Sequence, residues 1–92
     1  MPATVDIGTL ITKRPEMHGG KPCVAGTGTT VLAIVERYES GLSPKEIHGQ
    51  LPELPLDGIF AALAYAHANR PEIDEWLRLD REAHDALFGT RA

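Results

Sequence analysis

The chain has 92 residues, 42% hydrophobic and 24% charged, with a formal net charge of −4 at pH 7 and one cysteine, Cys23. That size makes one domain with a modest core, and the acidic balance excludes a protein that lives by non-specific attraction to phosphate. With no run of about eighteen apolar residues and no disulfide framework, the expectation is a protein of the reducing cytoplasm without a membrane span.

The opening MPATVDIGTL has neither the basic start nor the long apolar stretch of a secretion signal. Residues 7–12, IGTLIT, and 22–24, PCV, read as short strands separated by the turn-rich KRPEMHGGK. The spacing suits a two-stranded hairpin, or two strands that pair with a second chain. From Thr30 the apolar period becomes helical through Val31, Leu32, Ile34, Val35 and Tyr38, predicting a helix over 31–40 that Gly41 stops. A second helix, 43–51, starts with Ser43 as cap, Pro44 in the first turn and Glu46 completing a capping box. Ile47 and Leu51 give it a buried face, and Pro52 ends it.

A third helix, 57–69, has Asp57 in its first turn and alanines at 61, 62, 64, 66 and 68, which let neighbouring backbones approach closely. It stops before Pro71. A fourth runs from there to Phe88, with Ile73, Trp76, Leu77, Ala83 and Leu87 mostly on one side and Asp74–Arg78 and Arg81–Asp85 spaced as ion pairs. The expected fold is mainly α. Residues 1–30 form a β-arm, 31–70 a three-helix core resembling a helix-turn-helix unit, and 71–92 a C-terminal helix and tail.

The glycine-rich run HGGKPCVAGTGTTV invites a phosphate-binding reading, which fails on its details. A P-loop needs Ser or Thr after Gly-Lys, and Pro22 follows Gly20-Lys21 while Pro15 stands where the first glycine belongs. A dinucleotide fingerprint needs a third glycine where Val31 stands. Histidines 18, 48, 67 and 84 and Cys23 form no metal-ligand spacing. Cys23, in a predicted strand, reads as a small buried thiol. No nucleophile–base pair is evident, so no enzyme activity, cofactor or metal is expected. As a recognition helix, 57–69 is poorly equipped. Its first turn offers Leu56, Asp57, Gly58 and Phe60, and no side chain suited to reading base edges appears before Asn69.

Taken in order, GGKPCVAGTGTTV, YESGLSPKEI and LPELPLDGIFAALAYA resemble the domain-of-unknown-function family 433 over about residues 7–68. The resemblance implies a homeodomain-like helical fold with an N-terminal β-arm. It also implies an antitoxin-like role beside a toxin of PIN-like nuclease fold, with binding to the toxin, to DNA, or to both. Two positions depart from the family's pattern. Gly28 stands in place of the usual arginine, and Pro55 in place of a capping Ser or Thr.

The leading expectation is therefore a non-enzymatic, antitoxin-like homodimer. Operator DNA would be contacted by Lys13, Arg14, Lys21 and Lys45, since the first 48 residues sum to zero charge while residues 49–92 carry four arginines against eight acids. The toxin would be engaged by Ile73, Trp76, Leu77, Arg78 and Arg81, because aromatic and arginine side chains are the usual interface anchors. The alternatives are a DNA-binding autorepressor without a toxin, or a protein-interaction module without DNA contact.

Overall fold

The computed structural model describes residues 6–16 and 18–89, so the start of the arm, position 17 and the tail beyond Gly89 lie outside the described residues. The fold is mainly helical, with four helices and a small antiparallel sheet. The stretch expected as a strand from Ile7 divides in two. Ile7–Leu10 is a 3₁₀ turn, and only Ile11–Lys13 is strand β1. Asp6 causes the division. Its carboxylate accepts from Gly8 N at 3.0 Å and its carbonyl accepts from the Thr9 amide and hydroxyl, a local alternative to a ladder. Strand β1 pairs with β2, Pro22–Val24, in the register Ile11↔Val24, Thr12↔Cys23, Lys13↔Pro22. Of the two pairings open from sequence, the ladder is thus the one that closes within a single chain.

The glycine run turns the chain rather than cradling a ligand. His18, Gly19 and Gly20 have φ of 52°, 65° and 90°, and the two glycines accept this left-handed path without steric cost. His18 Nε2–H donates to Gly28 O at 2.9 Å, tying the first turn to the second glycine pair. The Thr27 hydroxyl donates to Val24 O and accepts from Thr29 N, which delivers Thr30 as the cap of α1, Val31–Glu39. The Thr30 hydroxyl accepts from Ala33 N at 3.2 Å.

Gly41, at φ 111°, ends α1 as expected. Helix α2, Pro44–Gln50, has both halves of the Ser43–Glu46 capping box. Helix α3, Leu56–Ala68, follows Pro55, which offers no side-chain cap. Asn69 alone separates it from α4, Arg70–Phe88, where Pro71 occupies the first turn and removes no needed donor.

Helix α3 is the central element, touching the other three helices, both strands and the first 3₁₀ turn. The core is formed by Val24, Val31, Leu32, Ile34, Val35, Ile47, Leu54, Ile59, Ala62, Ala66 and Ile73. Gly58 sets how closely α3 lies on β2, because a Cβ there would sit 2.8 Å from Val24 Cγ1. Cys23 is buried, as read from sequence. Beyond Leu77 helix α4 leaves the core, and every residue from 78 to 88 except Asp80 is exposed. Among the described residues no helix is long and apolar enough to cross a membrane.

Candidate functional site

Both lysines of the arm are clasped to the last helix. Lys13 Nζ donates to Glu72 Oε2 at 2.8 Å. The same carboxylate accepts from the Tyr65 hydroxyl at 2.5 Å and from Trp76 Nε1 at 3.3 Å. Lys21 Nζ pairs with Asp80 at 2.6 Å and lies 5.8 Å from the centre of the Trp76 ring. Burial pushes the Glu72 carboxyl up, but the bonds from Lys13, Tyr65 and Trp76 outweigh it and hold the group below the usual carboxylate range. Its hydrogen bond to Glu72 raises Lys13, and burial followed by the bond to Glu72 raises Tyr65.

Three of the four residues expected to contact phosphate are therefore each held against a carboxylate. Lys13 and Lys21 join the hairpin to α4, and Arg14 stands 3.4 Å from Glu16. Lys45, exposed in the first turn of α2, has no ion-pair partner among the described residues. Gly28 shares a small hollow with Arg14, Thr12, Gly26 and Thr27, so a guanidinium does stand near the position where the family's usual arginine is missing.

The residues expected to meet a protein partner separate into two groups. Ile73 is fully buried in the chain's own core and is not available to a partner, which corrects its assignment as an interface anchor. Trp76 and Leu77 pack half-buried at the core's edge. The ion pairs also differ from the expected spacing. Asp74 is taken by Arg70, which reaches Glu39 as well, and Arg78 pairs with Glu75 and Glu82. Arg81 makes no ion pair among the described residues and lines a cleft with Glu36, Leu77, Asp80 and His84. Past it, Leu87 and Phe88 are 78% and 67% exposed.

A second open surface was not singled out from sequence. Phe60, on the outer face of α3, is 52% exposed and stands between two hollows. The larger, about 490 Å³, is lined on its apolar side by Val35, Leu63, Ala64 and Ala66, with Glu39, His67 and Arg70 among its other residues. The smaller, about 300 Å³, lies against Ile7, Leu10 and Ala61. The signal was legible in LDGIFAALAYAHA, whose one acid is Asp57. A helix apolar on all sides is one that is covered on all sides.

Among the described residues no group of three or more His, Cys, Asp or Glu side chains is placed to hold a metal ion. Burial raises the Cys23 thiol and only partly yields to the charge of Lys21. A hairpin leading into packed helices, with one helix running out beyond the core, defines a small helical domain with an N-terminal β-arm. The chain belongs to the family described as Protein of unknown function (DUF433), whose model matches residues 11–66. A crystal structure of a member of that family from Anabaena variabilis is similar to it. The TM-score is 0.70 at 26% identity, over 76% of this chain and 69% of that one. No curated protein matches the sequence. The matched segment ends inside α3, so all of α4 lies beyond it.

Proposed function

We propose that the chain is a non-enzymatic binding protein of antitoxin type, a cytoplasmic homodimer that grips a PIN-like toxin through the outer half of α4. The observation that carries this reading is the helical segment 78–88, in which every residue but Asp80 is exposed. The extension propagates from the packed first half of α4 but lacks the tertiary packing that supplies most helical stability, which a partner would provide. Leu79, Leu87 and Phe88 are exposed there, and of the segment's two arginines Arg78 is paired while Arg81 makes no ion pair among the described residues. A metal-dependent nuclease presents carboxylates to which that guanidinium is complementary.

The protein-partner reading is favoured over operator binding. The outer face of α3, the recognition helix of a helix-turn-helix arrangement, offers Phe60 and Ala64 where base readout needs donors and acceptors. Lys13 and Lys21 are neutralised by Glu72 and Asp80. The test is co-expression with the product of the adjacent reading frame, comparing the full chain with one ended after Leu77. That truncation keeps Ile73, Trp76 and Leu77 and therefore the core. Association lost in a truncated chain that still folds supports the reading, and undiminished association removes it.

A further inference from the structure

We infer that the hairpin carries a face for the phosphodiester backbone of a nucleic acid, made by Lys13, Arg14 and Lys21, and that α4 masks it through Glu72 and Asp80. The inference goes beyond the proposed function and does not rest on it. Backbone contact needs no base readout from α3, and neither the toxin nor residues 81–88 take part. The three cations stand together against local electrostatics. Residues 11–30 hold them with a single acid, Glu16. The register Lys13↔Pro22, continued by one position, sets Arg14 across from Lys21. Like charges directly opposite one another destabilise a hairpin, and a local rule broken in this way marks a functional position.

The compensation comes from α4. Asp74, Glu75 and Glu82 are taken by that helix's own arginines, whereas Glu72 and Asp80 are turned to Lys13 and Lys21 at 2.8 and 2.6 Å. Trp76 lies between the two acids in sequence, bonded to Glu72 and 5.8 Å from the Lys21 nitrogen, so one strip of α4 covers both lysines. Among the described residues of 11–30 no large hydrophobic side chain is exposed, so the face lacks the anchor that a protein partner grips. A phosphodiester backbone asks only for cations. The chain's net charge of −4 confines such binding to a local patch of this kind. Both clasp pairs keep solvent on their side chains, and pairs so exposed hold weakly, so a dense row of phosphates can displace the two carboxylates.

The test is binding of the full chain to a short fluorescein-labelled DNA duplex, and to one of its strands alone, by fluorescence anisotropy over a range of salt. The parent is compared with Glu72→Gln/Asp80→Asn, which opens the clasp. A control, Glu36→Gln/Glu53→Gln, removes the same charge from two exposed acids that make no ion pair among the described residues. Circular dichroism checks each fold. The opened chain is expected to bind about tenfold more tightly at low salt, because two lysines are freed. Its slope of log K against log salt should steepen by about 1.8 on the duplex or about 1.4 on the single strand. The form that gains more identifies the source of the phosphates. The control is expected to gain little, and adding Lys13→Met and Lys21→Met to the opened chain is expected to abolish the gain. Should Glu72→Gln unfold the chain, Asp80→Asn with and without Lys21→Met carries the test. An opened chain that binds neither form more tightly overturns the inference, as does an equal gain in the control or a gain that survives loss of the lysines.

Discussion

Replacing Gly58 with alanine measures how tightly the hairpin and α3 are matched. The new methyl would lie 2.8 Å from Val24 Cγ1, inside contact distance, and Val24 is buried and β-branched, with little rotamer freedom to yield. Helix propensity favours alanine over glycine by about 1 kcal/mol, whereas an extra methyl in a packed core costs about 1–3 kcal/mol. The steric effect wins. The expected result is a net loss of about 1 kcal/mol, equivalent to about 4–8 °C in Tm for a domain of this size. Val24→Ala leaves a hole in the parent, but in the Gly58→Ala chain the new methyl fills part of it. The two substitutions should therefore couple by about 1 kcal/mol, the double variant being more stable than the sum of the single losses implies. Urea unfolding of the four chains, followed by circular dichroism, reads both quantities. A Gly58→Ala chain more stable than the parent, or strictly additive losses, would refute the close-approach argument.

Further outcomes follow from the clasp, the caps and the two halves of α4. The Glu72 carboxyl lies lower in the folded chain than its ordinary value of 4.5, so its contribution is complete above that value and disappears as pH falls through the folded one. Glu72→Gln should flatten the acid limb of the stability–pH curve. Lys13 and Tyr65 are raised from 10.5 and 10.0, so their contributions are whole at neutral pH and are lost as pH rises through the raised values. Lys13→Met should correspondingly weaken the alkaline limb measured by thermal melts. Thr30→Ala removes the cap of α1 and should cost about 1 kcal/mol in urea unfolding. Ile73→Ala should cost about 2–5 kcal/mol of stability, whereas Leu87→Ala should change it by less than about 0.5 kcal/mol while weakening partner capture.

What sequence reading recovered was local. The Ser43–Glu46 box, the Gly41 stop, the Pro71 start and the buried Cys23 each depend on residues a few positions apart, and each is present. The strand expected over 7–12 shortened because Asp6 captured the amide of Gly8, a competition that β propensity does not register. The pairs Asp74–Arg78 and Arg81–Asp85 failed for a related reason. Spacing permits several partners, and Arg70 and Glu75 stood equally near. The clasp was beyond reach, since Lys21 and Asp80 are 59 positions apart and meet only once the hairpin lies across α4. Ile73 and Leu87 share one helical stripe, yet only the fold shows that the stripe is covered at one end and bare at the other.

Amide hydrogen exchange, with and without the adjacent gene's product, bears most directly on the central claim that α4 beyond Leu77 is a docking element. In the chain alone, the amides of 78–88 should exchange far faster than those of α3, because every residue there but Asp80 is exposed. On adding the partner they should become protected while the α3 amides change little. Protection of 78–88 equal to that of α3 in the chain alone, or no gain when the partner binds, would contradict the account.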